Sequence, residues 1–160
     1  MAVNVNAFVA ADQQPVTLRP ATRADLPAVE HLLRALDLPT AGVAEWVERF
    51  WIADHGGTAV GVVGLEQYGD EALLRSVAVD PSWQSTGLGR ALVDAALQAA
   101  RTAGAKEMYL LTTTAERYFA RFGFVQIARD DVPGAVQQSV EFREACPASA
   151  VVMRTELSTN

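Results

Sequence analysis

The chain has 160 residues, of which half are hydrophobic and a fifth are charged, and its formal net charge at pH 7 is -6. This is the composition of one globular domain with room for a hydrophobic core, and it excludes an intrinsically disordered chain. The acidic balance argues against nucleic acid and against an anionic membrane surface as partners, because both attract basic protein faces.

The single cysteine, Cys146, excludes an intrachain disulfide and favours a reducing, cytoplasmic environment. We interpret it as a packed thiol, since no histidine accompanies it. The N-terminal residues lack the features of a secretory signal, and no run approaches the roughly eighteen apolar residues of a membrane span. The sequence therefore predicts a flexible tail over residues 1–15 and one domain over residues 16–157.

The first predicted strand is Val16 to Arg19, an alternating stretch that ends at a proline. A helix follows, because the apolar residues of TRADLPAVEHLLRALDL recur at helical spacing. Thr22 is its predicted N-cap, with Asp25 three residues later. His31 falls on the solvent side of this helix and is interpreted as a surface residue. A second, weaker helix is predicted in GVAEWVERF.

Three strands are predicted next, within FWIADHGG, TAVGVVGLEQYGD and EALLRSVAVD. The connections at residues 55–57 and 68–70 are short and contain glycine, which is typical of hairpins. We therefore expect these strands to be antiparallel. His55 lies in the first connection, and we predict no chemical role for it.

The rest of the chain reads as a helix after the loop QSTGLG, then a strand EMYLLT, a short helix AERYFARFG and a strand FVQI. A polar region without a predicted element follows, and AVVMRTEL is the last strand. This order predicts an α+β domain with one partly parallel segment around the central helix.

The loop QSTGLG carries two glycines, Gly87 and Gly89, directly before the central helix. A helix N-terminus offers unsatisfied backbone N–H groups, and glycines let the backbone approach a phosphate closely. A glycine turn without a ligand is the alternative. A dinucleotide site is disfavoured, because Leu92 stands where its third glycine belongs, and no Lys-Ser or Lys-Thr completes a Walker loop.

Two segments carry a family resemblance. VAVDPSWQSTGLGRAL resembles the acetyl-CoA signature of the Gcn5-related N-acetyltransferase (GNAT) superfamily, Gln/Arg-x-x-Gly-x-Gly/Ala, with Gln84, Gly87 and Gly89 at the matching positions. AERYFARFGF is similar to the family's second signature, which closes in Gly123-Phe124. The resemblance covers residues 16–157 and implies the GNAT fold, a central, mixed, mostly antiparallel sheet that splays near its middle and is flanked by helices.

The resemblance also implies acetyl-CoA as co-substrate, without a metal. Backbone N–H groups from Ser85 to Arg90 would hold the pyrophosphate, with Gln84 shaping the loop, and the backbone of Val77 and Val79 would pair with the pantetheine arm. The full set assigned to acetyl-CoA is Val77, Ala78, Val79, Gln84, Ser85, Thr86, Gly87, Leu88, Gly89, Arg90 and Phe119.

The catalytic positions of the family are only partly matched. Leu73 stands where histone-type members carry a glutamate base, and Glu71, two residues earlier, is the candidate substitute acting through water. Phe119 stands where many members have a tyrosine that protonates the thiolate, and Tyr118 is the candidate acid in its place. Glu71 is alternatively a solvated hairpin carboxylate, and Tyr118 a packing aromatic. Thr112 replaces a common asparagine.

Arg75 interrupts an otherwise apolar strand, where a guanidinium is costly to bury without a partner. Its planar fork of donors suits a carboxylate, phosphinate or arsonate on the acceptor. The alternative is a structural ion pair with Glu66 or Glu71 across the hairpin. We assign Arg75 to the acceptor, with Ser76 as a weaker companion.

The ending of the chain looks most like N-acetyltransferases of arsenic-resistance operons and N-acetylglutamate-synthase-like members. That resemblance implies acetylation of the amine of a small acidic amino acid, or of an arsenic or phosphorus analogue such as arsinothricin or phosphinothricin, in a resistance role. The alternatives are a protein or peptide N-acetyltransferase and a catalytically silent CoA-binding sensor. A homodimer is also possible, as in many relatives.

Overall fold

Eight β-strands form one sheet in the order β1-β2-β3-β4-β5-β6-β8-β7, within the residues that this computed structural model describes, 3–9, 15–145 and 149–157. Cys146 lies outside these residues. The strands are β1 (Val3–Val9), β2 (Pro15–Pro20), β3 (Trp51–His55), β4 (Thr58–Tyr68), β5 (Glu71–Val79), β6 (Glu107–Thr112), β7 (Val125–Ile127) and β8 (Val151–Glu156).

The helices are α1 (Leu26–Ala35), α2 (Val43–Trp46), α3 (Leu88–Thr102), α4 (Glu116–Ala120) and α5 (Gly134–Gln137). Short 3₁₀ turns cover Arg23–Asp25, Val47–Arg49, Pro81–Trp83 and Arg129–Asp131, and a π-helical turn covers Glu141–Ala145. Helices and mostly antiparallel strands together confirm the predicted α+β fold class.

Strand pairing is mixed, as predicted. The pairs β1 with β2, β2 with β3, β3 with β4, β6 with β8 and β7 with β8 are antiparallel. The pair of β5 with β6 is parallel, and its register runs only from Glu71 opposite Glu107 to Leu73 opposite Tyr109. Both strands continue beyond that point.

Two predictions of helical structure needed correction. The second predicted helix is split into α2 and a 3₁₀ turn, because four of its residues are β-branched or aromatic and hold a helix poorly. The polar region after β7 contains three helical segments, residues 129–131, 134–137 and 141–145. Each is about one turn long, too short for a hydrophobic period to be recognised in the sequence.

Two compact units make up the chain, residues 1–64 with 76–96, and residues 65–75 with 97–160. The strand β1 belongs to the first unit and lies in the segment predicted as a tail, of which residues 1, 2 and 10–14 lie outside the described part. The domain boundary at residue 16 stays a prediction. Among the described residues, no helix is both long and apolar enough to cross a membrane.

Close packing on β4 fixes the start of α3 in the first unit. A Cβ at Gly61 would lie 2.8 Å from the Leu92 side chain, and a Cβ at Gly64 would lie 2.5 Å from the Phe50 ring. Both contacts are shorter than van der Waals contact allows, so glycine is required for α3 and the Phe50 ring to pack this closely. Leu88 and Leu92 are fully buried, which anchors the first turns of α3.

The second unit has its own apolar cluster, formed by Leu73, Tyr109, Val132, Val136 and Val152. Val132 and Val136 come from the polar region for which no element was predicted. The helical segments of that region are therefore part of this core, and they carry Glu141 to a buried position, 5% exposed.

The beginning of α1 is fixed by Asp25. Its carboxylate accepts the Thr22 backbone N–H at 2.7 Å and two Arg19 guanidinium N–H groups at 2.8 and 2.9 Å. Thr22 and Asp25 form the predicted capping box. The Arg19 hydrogen bonds hold the pKa of Asp25 well below its usual range.

We expect Asp25→Asn to lower the free energy of unfolding by about 1–2 kcal/mol at pH 7, the contribution of a cap with charged hydrogen bonds. Because the folded-state pKa is depressed, this contribution is complete above about pH 5 and is lost as the pH falls below about 4. Urea unfolding of both proteins from pH 7 to pH 3 measures it. Asp94→Asn, at an exposed position on α3, is the control, and an Asp25 effect that grows toward low pH would contradict this account.

Candidate active site

The chain leaves β5 through Asp80. The Asp80 backbone N–H donates to the Val60 carbonyl at 2.8 Å, and its carboxylate accepts the Ser82 backbone N–H at 2.9 Å together with the Ser82 hydroxyl. These Ser82 hydrogen bonds lower the pKa of Asp80. The start of the glycine loop is thus fixed relative to β4.

Side chains of the glycine loop close it on itself. The Gln84 side-chain amide donates to the Val79 carbonyl at 3.1 Å, so it ties the loop to the end of β5. The Thr86 hydroxyl donates to the Trp83 carbonyl and accepts the Leu88 backbone N–H at 3.4 Å. The loop is therefore held in shape by hydrogen bonds from its own side chains.

The loop backbone has left-handed residues at alternate positions. Ser85 has φ of 65° and Gly87 has φ of 90°. Alternation of left-handed and right-handed residues turns successive N–H groups toward one point, an arrangement that binds anions. Left-handed backbone is unfavourable for serine, so the conformation at Ser85 is held by the surrounding hydrogen bonds.

Several N–H groups of the loop lie outside the backbone hydrogen-bond pattern of the described chain. Within the described residues, the N–H groups of Ser85, Thr86, Gly87, Gly89 and Arg90 donate to no backbone carbonyl. Residues 84–87 are exposed, and the loop leads into α3, whose macrodipole adds about half a positive charge. This set of donors fits a diphosphate group.

The strand before the loop is irregular at Ser76, which has φ of 57° inside β5. Val77 and Val79 are half-buried, whereas Ala78 is 3% exposed and belongs to the core of the first unit. The side chains of Val77 and Val79 thus lie on the opposite face from Ala78. The left-handed residue interrupts the regular extended backbone of this strand.

Arg75 is enclosed. Its side chain is 0% exposed, its Nη1 donates to Glu66 Oε2 at 2.9 Å, and its Nη2 lies 3.2 Å from Glu141 Oε1. The Tyr68 hydroxyl donates to the other oxygen of Glu66. The ion pair with Glu66, one of the alternatives left open by the sequence, is therefore present, and Glu141 is a second partner.

Comparison with known proteins identifies the family. The acetyltransferase (GNAT) domain family matches residues 46–126, about half of the chain. An amino-acid acetyltransferase of Mycobacterium tuberculosis is 34% identical over 145 residues, which are 84% of this chain and 79% of that protein. The chain belongs to the GNAT acetyltransferase family.

Solved structures agree with this fold. N-acetylglutamate synthase from Neisseria gonorrhoeae, complexed with coenzyme A and N-acetyl-glutamate, superposes with a TM-score of 0.78 at 23% identity, over 89% of this chain and 35% of that one. A Mycobacterium tuberculosis protein in complex with CoA superposes with a TM-score of 0.75 at 28% identity, over 88% of this chain and 99% of that one.

Some of these relatives are much longer. The chain covers only 31% of an amino-acid acetyltransferase of Pasteurella multocida, to which it is 26% identical. As a GNAT acetyltransferase, the chain uses acetyl-CoA as its co-substrate. Among the described residues, no group of three or more histidine, cysteine, aspartate or glutamate side chains could hold a metal ion.

The candidate catalytic residues of this acetyltransferase lie in its second unit. Glu71 is the first residue of β5 and is half-buried, and Leu73 is fully buried in the core. Tyr118 is half-buried, with its ring 5.3 Å from the Phe119 ring and 5.4 Å from the Phe122 ring. Phe119 is 8% exposed. Their assigned roles stay predictions.

Thr112 has a structural contact at the start of α4. Its hydroxyl accepts the Ala115 backbone N–H at 3.0 Å, and it is 9% exposed. A hydroxyl in this position holds the chain that leads into α4, where Tyr118 and Phe119 lie. The asparagine common in the family is therefore replaced by a residue that still accepts a hydrogen bond.

Two features of the acetyltransferase were missed by sequence reasoning. The His55 ring lies 5.1 Å from the Trp83 ring at an interplanar angle of 57°. His55, for which no role was predicted, therefore packs against the residue that precedes the glycine loop. Glu141 joins Arg75 from a segment with no predicted structure. The only sequence signal for Glu141 was a single acid between two apolar residues, Val140 and Phe142.

Proposed function

We propose that this acetyltransferase transfers the acetyl group of acetyl-CoA to the amine of a small acidic amino acid, glutamate or an analogue with an arsenic or phosphorus acid. The observation that carries the proposal is the 34% identity with the amino-acid acetyltransferase of Mycobacterium tuberculosis, of which this chain spans 79%. The assignment of Arg75 to the acid group of the acceptor stays a prediction, because its guanidinium is enclosed by Glu66 and Glu141.

The glycine loop is the proposed pyrophosphate site. The N–H groups from Ser85 to Arg90 would donate to the phosphate oxygens, and Gln84 keeps the loop in shape through its hydrogen bond with Val79. The backbone of Val77 and Val79 would pair with pantetheine, beyond the irregular residue Ser76. These roles are supported by the loop N–H groups that, among the described residues, donate to no backbone carbonyl, and by the half-buried side chains of Val77 and Val79.

Acetyl transfer needs a neutral amine. Its nitrogen attacks the thioester carbonyl, the C–N bond forms, the C–S bond breaks, and the amine loses a proton while the CoA thiolate gains one. At pH 7, deprotonating a peptide-like α-amine with a pKa near 8 costs about 1.4 kcal/mol, against about 4.6 for a lysine-like amine. The ionised α-carboxylate of a free amino acid raises the pKa of its amine above the peptide value, so the acceptor needs a base. Glu71, acting through water, is the proposed base, and Tyr118 is the proposed donor to the thiolate.

The finer acceptor assignment includes arsinothricin and phosphinothricin. These carry an arsenic or phosphorus acid where glutamate has its side-chain carboxylate, so the Arg75 fork that suits one suits all three. Acetylation of such an antimetabolite would give the enzyme a resistance role. We further propose that it works in the cytoplasm, consistent with a single cysteine, and as a homodimer, which gel filtration tests.

Thiol release from acetyl-CoA across an acceptor panel tests the proposal. The panel holds glutamate, phosphinothricin, arsinothricin, a polyamine, an aminoglycoside and a lysine peptide. We expect turnover to be confined to the acidic amino acids. Turnover of the peptide alone would favour a protein N-acetyltransferase, and no turnover with acetyl-CoA still raising the melting temperature would favour the sensor module.

His55 gives a test of the loop itself. We expect His55→Ala to raise the KM for acetyl-CoA about fivefold, because an aromatic pair contributes about 1 kcal/mol to holding Trp83 and the loop that follows it. His55→Phe keeps a ring and should keep the KM. His31→Ala, at an exposed position of α1, is the control, and an equal rise in both alanine variants would rule out this support.

A further inference from the structure

Arg90 lies in the first turn of α3, where a positive charge is unfavourable. The helix begins at Leu88, and its first turn contains no acidic residue. The macrodipole places about half a positive charge at a helix N-terminus, so a cation lowers the stability of the first turn and an acid raises it. The basic residue that suits this dipole, Arg101, lies in the last turn. The stability of α3 therefore does not explain why an arginine stands at position 90.

The side chain of Arg90 has no acidic partner in the described part of the chain. It is exposed, and neither an ion pair nor a side-chain hydrogen bond joins it to another described residue. Residues four apart are neighbours on a helix surface, which makes Asp94 the acid best placed by spacing to pair with it. Asp94 is also exposed, yet the two side chains form no ion pair. The Arg90 guanidinium is therefore accessible to an anionic ligand.

The co-substrate brings such an anion to this part of the chain. The glycine loop directly precedes α3, and its backbone N–H groups are the proposed donors to the diphosphate of acetyl-CoA. CoA carries a third phosphate, on the 3′ oxygen of the ribose that is joined to the diphosphate. This phosphate is a monoester with a charge of about -1.5 to -2 at pH 7. Because the loop N–H groups are assigned to the diphosphate, the 3′-phosphate has no partner among them.

An arginine suits the 3′-phosphate. Its guanidinium is a planar fork of donors that binds a phosphate through two parallel hydrogen bonds. A bound phosphate would also offset the unfavourable charge at the start of α3, because an anion there is attracted by the guanidinium and by the helix N-terminus.

We propose that the side chain of Arg90 binds the 3′-phosphate of CoA and that the enzyme therefore prefers acetyl-CoA to acetyl-3′-dephospho-CoA. This inference rests on the proposed function, because it takes the position of the diphosphate on the glycine loop from there. The assigned role of the Arg90 backbone N–H is unaffected, since the 3′-phosphate is bound by the side chain alone.

Calorimetric titration of CoA and of 3′-dephospho-CoA into the wild-type enzyme and Arg90→Gln tests this contact without an acceptor amine. We expect the wild-type enzyme to bind CoA about tenfold more tightly, the factor that one charged hydrogen bond at an exposed site contributes. Arg90→Gln should bind both ligands with the wild-type affinity for 3′-dephospho-CoA. Its melting temperature should not fall, because a cation leaves the first turn of α3. Arg90→Lys keeps the charge without the fork and should retain about a threefold preference.

Arg34→Gln is the matched control. It removes one positive charge from another helix, at a side chain 66% exposed, and should keep the tenfold preference. Equal affinities of the wild-type enzyme for the two ligands would overturn the inference. An Arg90→Gln variant that binds both ligands more weakly by the same factor would also overturn it, and would assign the guanidinium to the diphosphate.

Failure of the proposed diphosphate site gives a different result. Gly87→Ala should weaken both ligands by the same factor, because both carry the diphosphate. A Gly87→Ala variant that binds both as tightly as the wild-type enzyme would overturn the assignment of the glycine loop, and so would a wild-type enzyme that binds neither ligand. The two failures are therefore distinguishable.

Discussion

Replacing Gly87 with alanine is expected to raise the KM for acetyl-CoA about a hundredfold. Gly87 has φ of 90°, where a Cβ costs about 1–2 kcal/mol, and a shift of the loop would also misplace charge-assisted hydrogen bonds to the diphosphate. The KM for the acceptor amine should change far less, because the loop makes no proposed contact with it. Initial rates of thiol release over a range of acetyl-CoA concentrations measure the effect.

Gly104 gives a matched control for this substitution. It has φ of 91°, nothing lies within 4 Å of a Cβ built there, and it lies in the turn after α3. Gly104→Ala therefore imposes a similar backbone strain away from the glycine loop, and we expect lower stability with an ordinary KM for acetyl-CoA. Equal KM changes in the two variants would mean that strain alone explains the Gly87 effect.

Arg75→Met is expected to lower the free energy of unfolding by about 3–5 kcal/mol, because it leaves Glu66 and Glu141 buried without their cation. Urea unfolding followed by far-ultraviolet circular dichroism measures the loss. Arg23→Met is the control, since the Arg23 side chain is 64% exposed and its removal should change stability by about 0.5 kcal/mol or less.

Removing the stranded charges tests the cause of that loss. When Glu66→Gln and Glu141→Gln are added to Arg75→Met, no buried charge is left in the cluster, and we expect part of the stability to return. A triple variant less stable than Arg75→Met would show that the loss comes from packing around the guanidinium stem. A loss below about 1 kcal/mol in the single variant would show that the cluster contributes little to stability.

The parts of the fold and site that sequence predicted are those with local signals. The strand β6 follows from a short apolar run, and the turns between β3, β4 and β5 follow from glycines within a few residues. The glycine loop around Gly87 could be recognised in the sequence because it directly precedes an amphipathic helix. The capping box of Thr22 and Asp25 also lies within four residues.

The parts that sequence did not predict depend on contacts between distant residues. Glu141 is carried to Arg75 by short helical turns whose apolar residues, Val132 and Val136, show their face only once they pack in the core. His55 contacts Trp83 because the end of β3 and the start of the glycine loop come together in the fold. No pattern in the sequence around either residue predicts this contact. Arg75 is buried between Glu66 and Glu141, which lie 9 residues before it and 66 residues after it, so its burial could not be read from the local sequence.

The measurement that tests the central claim most directly is a competition for acetyl-CoA. Glutamate and a polyamine are supplied to the wild-type enzyme in one reaction at equal concentration. The acetylated products are separated, and the amount of each is quantified by mass spectrometry. We expect N-acetylated glutamate to exceed acetylated polyamine by at least about a hundredfold, the preference that about 2.7 kcal/mol of differential binding gives. Acetylated polyamine as the main product would contradict the assignment of an acidic acceptor.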